Sequence, residues 1–379
     1  MKTSVTPSLV RKSLIVVVAT VGLSGAGCSP KKSSESGGST GQSEADVQSA
    51  ELSDAAADQA IEAAAASVRR DGQGQIIEVN FREKQLGDVV GKLSSLPKLR
   101  SLLLAESDVS DAMLGGIGEI TTLENLDLRG CAISDLGLAR LEGLSRLKSI
   151  KLSGKGDKTK VTAVGAKTLA KLASLKVIAL DFLPIGDAGV KSLSELSDLK
   201  ELYLAGSSLT DAAADSIKRF KGLAKLRLAS NDLSSQAVVV LSDLSDLEEF
   251  DVSDCAKVDD DAIKPLAKLG KLSKLNLYAT EVAEGPWAEL SGLQHLRWLN
   301  VDKTGVNDAA LEGIGTLEGL KFLHLGSTKI TDAGMPKLAG LQSLENLIVT
   351  RTAVTQAGVD QLQQLLPGTE IQLEYVEGK

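Results

Sequence analysis

Residues 199–222 read LKELYLAGSSLTDAAADSIKRFKG, and the pattern Leu-x-x-Leu-x-Leu that opens this stretch returns along most of the 379-residue chain. Each unit follows the previous one by 24 residues in eight of ten steps, and by 28 and 25 residues in the other two. The first leucines of the units are Leu99, Leu123, Leu147, Leu175, Leu199, Leu223, Leu247, Leu272, Leu296, Leu320 and Leu344. A fixed period of this length is typical of stacked supersecondary units that contact only their neighbours. The repeat therefore predicts a solenoid rather than one globular core.

Within one unit, the residue types predict a strand, a turn and a short helix. Leu202 and Leu204 alternate with other residues, as in a strand that has one buried face. Residues 205–208 turn the chain, and Thr210-Asp211 is expected to cap the N-terminus of a helix. We therefore predict an α/β solenoid in which each strand pairs in parallel with the next and the helices line the opposite side.

The repeating unit resembles the leucine-rich-repeat superfamily. It is most similar to the ribonuclease-inhibitor-like and cysteine-containing type of bacterial exported proteins, through stretches such as Ile-Thr-Asp-Ala-Gly at residues 330–334. The resemblance covers residues 76–376, with strands expected from residues 77–81 to residues 371–373, which gives 13 strands. It implies an arc or horseshoe with the parallel sheet on the concave face and the helices on the convex face. It also implies a non-enzymatic scaffold for a protein partner, with no cofactor.

The N-terminus has the composition of an export signal. Lys2, Arg11 and Lys12 form a basic segment, and residues 13–23 form an apolar run that is short for a membrane span. This order of a basic and then an apolar segment is typical of a secretory signal peptide.

The residues that follow the apolar run resemble the lipobox of bacterial lipoproteins. Small residues lead into Cys28, although Gly25 stands where that family usually has an aliphatic residue. The resemblance implies that residues 1–27 are removed and that Cys28 carries a lipid anchor in the bacterial cell envelope. Simple secretion with cleavage near Ala26, and an uncleaved N-terminal anchor, remain alternatives.

The rest of the chain divides by composition. The expected segments are a signal peptide at 1–27, a disordered tether at 28–45, a helical N-terminal cap at 46–75 and the repeat domain at 76–379. The tether is rich in Ser, Gly and charged residues and has little to bury. In the cap, an Ala-rich helix is expected to run to Arg69 with Ile61 and Val68 on one face, and to cover the end of the stack.

Composition disfavours several classes of function. The net charge of −8 disfavours a nucleic-acid partner, which needs a clustered positive surface. Two His and three Cys leave little for a metal site or a Cys–His catalytic pair. Cys131 and Cys255 are five repeats apart, or roughly 24 Å at about 4.8 Å per strand. This separation exceeds the reach of a disulfide, so both are expected to be small buried turn residues.

Aspartates recur at one position of the repeat and are predicted to be helix N-caps. They are Asp111, Asp135, Asp187, Asp211, Asp308 and Asp332. A denser acidic cluster at residues 251–261 has oxygen ligands suited to calcium, but it matches no known calcium-binding loop.

The open face of the predicted sheet provides the candidate binding site. Trp298 and Phe322 are expected side by side on adjacent strands, with Tyr278, Asn300 and His324 around them. Aromatic side chains among polar neighbours are typical anchors for a protein partner. The alternative is cross-strand stacking that only stabilises the sheet. Trp287, in contrast, occupies a helix position and is expected in the core.

Two further features and two further classes of function remain open. A second, scattered set is Phe182, Tyr203 and Arg227, and a basic insertion at residues 154–160 accounts for the 28-residue step. Stacking aromatics would also suit a cell-envelope glycan, whereas glycan hydrolysis would need a pair of carboxylates such as Glu249 and Asp251. A structural envelope protein with no specific partner is the third possibility.

Overall fold

The computed structural model describes residues 56–374, which lie within one compact unit of the chain, Ser49–Lys379. These residues form one sheet of 14 strands, and the order of the strands in the sheet is their order along the chain. The strands are β1 Ser67–Arg70, β2 Ile76–Asn80, β3 Ser101–Leu103, β4 Asn125–Asp127, β5 Ser149–Ser153, β6 Val177–Asp181, β7 Glu201–Tyr203, β8 Lys225–Arg227, β9 Glu249–Asp251, β10 Lys274–Asn276, β11 Trp298–Asn300, β12 Phe322–His324, β13 Asn346–Ile348 and β14 Glu370–Gln372. From β2 to β14 every neighbouring pair is parallel, which confirms the predicted parallel solenoid and its 13 strands.

Short helices alternate with the strands. The α-helices are α1 at 56–64, α2 Leu114–Gly118, α3 Asp135–Leu138, α4 Ala163–Leu169, α5 Gly186–Leu193, α6 Ala214–Ile217, α7 Ser235–Leu241, α8 Ile263–Leu266, α9 Asp308–Ile314 and α10 Gln356–Leu365. The 3-10 helices are Gly87–Ser95, Ala139–Leu141, Asp211–Ala213, Asp260–Ala262, Trp287–Gly292 and Met335–Gly340. Among residues 56–374, no helix is long and apolar enough to cross a membrane.

The core is built from the leucines that define the repeat. In the quoted unit, Leu202, Leu204 and Leu209 are completely buried between the sheet and the helices. Burying a leucine side chain contributes roughly 1.5–3 kcal/mol, and every repeat adds a similar set. Trp287 is also buried, as predicted, and its Nε1 donates a hydrogen bond to Ala283 O at 3.1 Å.

The two cysteines of the repeat domain are free and buried, as predicted for turn residues. Each thiol donates to a backbone carbonyl of the preceding repeat: Cys131 Sγ to Leu104 O at 3.1 Å and Cys255 Sγ to Leu228 O at 3.5 Å. Burial raises the pKa of both thiols. They therefore serve as small hydrogen-bonding core residues rather than as nucleophiles.

The N-terminal cap differs from the prediction. Ile61 is buried on α1 as expected, but the helix does not reach Arg69, because residues 67–70 form β1. This strand pairs antiparallel with β2 and places Val68 opposite Val79. The pairing covers the edge of β2, which would otherwise present unpaired backbone groups. The cap is therefore a helix followed by a strand.

The recurring aspartates are not caps of their own helices, so that prediction is wrong. Where a side chain caps the helix, it belongs to the residue before the aspartate, as with Thr210, whose oxygen accepts a hydrogen bond from Ala212 N. The aspartates bind the next repeat instead. These bonds join Asp111 to Ser134, Asp135 to Thr162, Asp187 to Thr210, Asp211 to Ser234, Asp308 to Thr331 and Asp332 to Thr355. Sequence periodicity could not distinguish these roles, because both place Asp at a helix start.

The predicted signal peptide at 1–27, the lipidation site Cys28 and the tether at 28–45 lie outside the described residues, as does the first part of the predicted cap.

Candidate functional site

The register of β11 and β12 brings the predicted aromatic pair together. Trp298 lies opposite Phe322, and Asn300 lies opposite His324. The rings of Trp298 and Phe322 stack with centroids 5.2 Å apart and planes 5° apart. We call Trp298, Phe322, Tyr278, Asn300 and His324 the aromatic patch. Four of its five members lie on these two adjacent strands.

Neighbouring side chains pack around the stacked pair. The Nζ atom of Lys274, on β10, lies 4.6 Å from the centroid of the Trp298 ring. The His324 ring meets the Phe322 ring edge-on, with centroids 6.4 Å apart. Because of these contacts the members of the patch are half-buried rather than fully exposed. The pair is thus also the cross-strand stack that the sequence allowed as an alternative, and only the part of the two rings that stays exposed is available to a partner.

Tyr278 lies apart from the stacked rings. It follows β10 by two residues, in the turn, and its contacts are with Lys303 of the next repeat. Lys303 Nζ donates to Tyr278 Oη at 2.6 Å and lies 5.1 Å from the ring centroid. Tyr278 therefore forms the margin of the aromatic patch rather than its centre.

His324 faces a carboxylate that the sequence analysis did not single out. Its Nε2 atom lies 4.0 Å from Asp302 Oδ2. Burial lowers the pKa of His324, and the Asp302 carboxylate partly opposes this shift. Asp302 Oδ1 is buried, and no group among residues 56–374 forms a hydrogen bond with it. The sequence position of Asp302 could have identified it. Asp302 follows Asn300 by two residues, and the strand register places it beside Tyr278.

The sheet face before β10 is charged, and several of its charges are paired. Lys225 Nζ lies 2.9 Å from Glu249 Oε1, and Arg227 Nε lies 3.4 Å from Asp251 Oδ2. Arg227 Nη1 also lies 3.4 Å from Asp181 Oδ2. The candidate carboxylate pair for glycan hydrolysis is therefore held in ion pairs.

The second candidate set does not form one surface. Tyr203 Oη donates to Glu201 Oε2 at 2.7 Å and borders, with Arg227, a small cavity of about 230 Å³. Burial, together with the bond to Glu201, raises the pKa of Tyr203. Phe182 is 42% exposed and lies in the turn beyond β6, with a left-handed φ of 61°. Only Tyr203 and Arg227 are thus neighbours on the sheet face.

The acidic cluster is used in local structure. Asp259 caps a helix by accepting from Asp261 N, and it also accepts from Ser235 Oγ at 2.6 Å. Within residues 56–374 no group of three or more His, Cys, Asp or Glu side chains is arranged to hold a metal ion. A wide groove of about 1040 Å³ runs along this region on the helical side, where Val239 is exposed and Lys264 lies 3.8 Å from Glu289. The sequence pattern does not predict this groove.

The basic insertion at residues 154–160 contains a turn, and two of its three lysines are paired. Lys158 Nζ lies 3.5 Å from Glu106 Oε2, and Lys160 Nζ lies 3.9 Å from Asp157 Oδ1. All four side chains are more than half exposed, so these pairs contribute little to stability.

Comparison with known proteins identifies the fold. Residues 119–141 and 320–339 match the family described as Leucine Rich repeat. An internalin from Listeria monocytogenes superposes with a TM-score of 0.59 at 19% sequence identity, over 76% of this chain and 77% of that chain. The chain has the leucine-rich-repeat fold. No curated protein sequence matches it significantly.

Two other solved structures similar to this chain superpose less closely. A leucine-rich-repeat protein from Leptospira interrogans has 17% identity and a TM-score of 0.40, over 74% of this chain and 86% of that one. A second internalin from Listeria monocytogenes has 22% identity and a TM-score of 0.41, over 50% of this chain and 75% of that one. The assignment of the leucine-rich-repeat protein to the ribonuclease-inhibitor-like, cysteine-containing type stays a prediction.

Proposed function

We propose that this leucine-rich-repeat protein is a non-enzymatic scaffold that binds another protein on the open face of its sheet, around Trp298 and Phe322. We also propose that it is exported and anchored in the cell envelope through a lipid on Cys28. The observation that carries the binding proposal is the stacked pair of rings at 5.2 Å on that face.

The types of side chain change along the sheet face, and this change supports a binding site around Trp298 and Phe322. Before β10 several lysine and arginine side chains of the face pair with carboxylates, for example Lys225 with Glu249. At β10 this pairing stops, and Lys274 lies over the Trp298 ring instead. The positions from β10 to β13 then carry aromatic, amide and aliphatic side chains, including Ile348 opposite His324. Aromatic anchors surrounded by polar residues are typical of the energetic centre of a protein interface.

The shape of the surface favours a protein over a small molecule. Standard protein interfaces bury roughly 800 Å² per partner. An open sheet face provides a broad surface that suits such an interface. Small molecules instead need a concave pocket that encloses most of their surface. On this face the cavity beside Tyr203 measures only about 230 Å³.

The pairing of charged side chains supports a non-enzymatic role. Glycan hydrolysis needs one carboxyl group as a proton donor and a second at a defined separation. Glu249 and Asp251 are each engaged by a cation, Lys225 and Arg227 respectively. Their arrangement is that of a charge network that stabilises the sheet face.

The binding proposal is tested by capture from a cell-envelope fraction with the wild-type protein, Trp298→Ala and Leu136→Ala as baits. Leu136 is the matched control, since it is 78% exposed and lies on α3, away from the sheet face. We expect one protein to be retained by the wild type and by Leu136→Ala, and to be lost with Trp298→Ala. Equal retention by all three baits would contradict the proposed location.

A further inference from the structure

Basic side chains line up on the edge of the sheet where the strands begin. Lys148, Lys176 and Lys200 are the residues immediately before β5, β6 and β7, and all three are exposed. The backbone N of Lys176 donates to Lys148 O at 2.8 Å, and the backbone N of Lys200 donates to Lys176 O at 2.8 Å. The three lysines therefore follow one another at the strand spacing of about 4.8 Å. We call Lys148, Lys176 and Lys200 the lysine row.

The lysine row has too few carboxylates to neutralise it. The Glu124 carboxylate lies 2.7 Å from Lys148 Nζ. It also interacts electrostatically with Arg100 and Arg146, so one carboxylate is shared by three cations. Among residues 56–374, no carboxylate lies within ion-pair distance of the other two lysines of the row. Because like charges on neighbouring strands repel each other, the row is stabilised when an anionic surface covers it.

The positive charge is confined to one edge of the solenoid. In the three residues before each of β3 to β8, six side chains are basic and two are acidic, although the net charge of the chain is −8. The basic ones are Lys98, Arg100, Arg146, Lys148, Lys176 and Lys200, and the acidic ones are Glu124 and Asp198. Before β9 the edge turns acidic at Asp246, which interacts with Lys200 but is bound by Lys271 at 2.6 Å. The opposite edge of these repeats carries the recurring aspartates.

The chemistry of this basic edge favours an anionic lipid surface over a protein partner. Among residues 56–374, the exposed large apolar side chains lie on helices or in the turn after β6, and none lies in the segments before the strands. The edge thus lacks the apolar anchors that typically dominate a protein interface. Lysines are flexible point charges that attract anions without a fixed geometry, and clusters of them are typical of attachment to anionic lipid.

We infer that the lysine row, with Arg100 and Arg146 beside it, lies on the surface of an anionic lipid bilayer. This inference builds on the proposed lipid anchor and specifies the orientation of the anchored domain. An anchor keeps the domain beside the bilayer, so a weak attachment through several cations is enough to orient it. The strands then extend away from the bilayer, and the aromatic patch on the sheet face stays open to its partner.

Vesicle flotation with the full chain tests the inference. The vesicles consist of phosphatidylcholine alone or of phosphatidylcholine mixed with phosphatidylglycerol, at about 0.15 M ionic strength. The parent chain carries Cys28→Ala, so that no covalent lipid contributes, and the variants are made in this parent. The row variant adds Lys176→Gln and Lys200→Gln. The control variant adds Lys155→Gln and Lys160→Gln, which remove the same charge from exposed lysines at the opposite edge.

We expect the parent chain to bind more strongly to the vesicles that contain phosphatidylglycerol, and to lose this preference at high salt. The row variant should bind these vesicles roughly 25-fold more weakly, since each basic residue close to an anionic surface strengthens binding about fivefold. The control variant should bind like the parent, because its substitutions lie away from the row. Circular dichroism of each chain verifies folding.

Equal binding of the parent chain to both kinds of vesicle, or an equal loss in the row variant and the control variant, would overturn the inference. Soluble polyglutamate represents an acidic protein partner. Polyglutamate binding that depends on the lysine row, in the absence of vesicle binding, would also overturn the inference. These results are separable from failure of the proposed function, because lipid labelling of Cys28 and capture with Trp298→Ala use neither the vesicles nor these variants.

Discussion

Asp308 accepts two hydrogen bonds from Thr331 of the following repeat, one from the backbone N at 2.8 Å and one from Oγ1 at 2.6 Å. Thr331 Oγ1 in turn accepts from Ala333 N, in the turn that precedes the 3-10 helix Met335–Gly340. The carboxylate of one repeat thus orients the turn that leads into the helix of the next, and the stack is joined by polar bonds on its helical edge as well as by leucines in its core.

Removal of the hydrogen bonds between Asp308 and Thr331 should destabilise the protein. We expect Asp308→Ala to lower the free energy of unfolding by about 1–3 kcal/mol, because two donors of Thr331 lose their acceptor. Urea unfolding measures the change. Asp215→Ala is the control, because its carboxylate is exposed and pairs with Lys218 of the same repeat. A loss no larger than that of the control would show that the inter-repeat bond contributes little.

The same bond explains a glycine of the repeat. A Cβ at Gly334 would overlap Asp308 Oδ1 and lie 2.8 Å from Leu311 Cδ1. Gly334→Ala should therefore destabilise the protein by about 1–3 kcal/mol. Gly270→Ala, which meets nothing within 4 Å, should have a much smaller effect in the same thermal or urea unfolding experiment. Similar losses for both variants would refute the steric explanation.

Acid should weaken the hydrogen bonds that the aspartates accept from the next repeat. The backbone N–H and the hydroxyl of Thr355 lower the pKa of Asp332 below its ordinary value of 3.8. The folded pKa is thus lower than the unfolded pKa, so the stabilisation is complete above the unfolded value and is lost as the pH falls through the folded value. Asp332→Asn should flatten the dependence of unfolding free energy on pH between about 5 and 2. An unchanged pH slope in this variant would contradict the assignment.

Sequence periodicity was sufficient to predict the solenoid, because stacking of the repeats is what buries Leu202 and its equivalents. It did not predict β1, since the Ala-rich stretch before Arg69 favours a helix and the pairing with β2 is a tertiary contact. It placed Trp298 beside Phe322 because strand register follows from the period. It missed Asp302, because the isolation of that carboxylate depends on where His324 and Lys303 direct their side chains.

The proposed anchor predicts a covalent lipid on Cys28. Cells that express the protein and are labelled with a fatty-acid precursor should incorporate the label into the wild type and not into Cys28→Ala. Cys131→Ala is the control, because that thiol is buried in the core. No incorporation into the wild type would contradict lipid anchoring and would leave the binding proposal unaffected.

The dissociation constant of the captured protein tests the central claim most directly. Calorimetric titration of the wild type, Trp298→Ala and Leu136→Ala should show about a thirtyfold weakening or more for Trp298→Ala, since truncating an interface anchor typically costs at least about 2 kcal/mol. Leu136→Ala should bind like the wild type, and the unfolding free energy of Trp298→Ala should fall by only about 0.5–1.5 kcal/mol from the lost ring stacking. If Trp298→Ala lowers the unfolding free energy but leaves the dissociation constant unchanged, the ring stack only stabilises the sheet, and the central claim is contradicted.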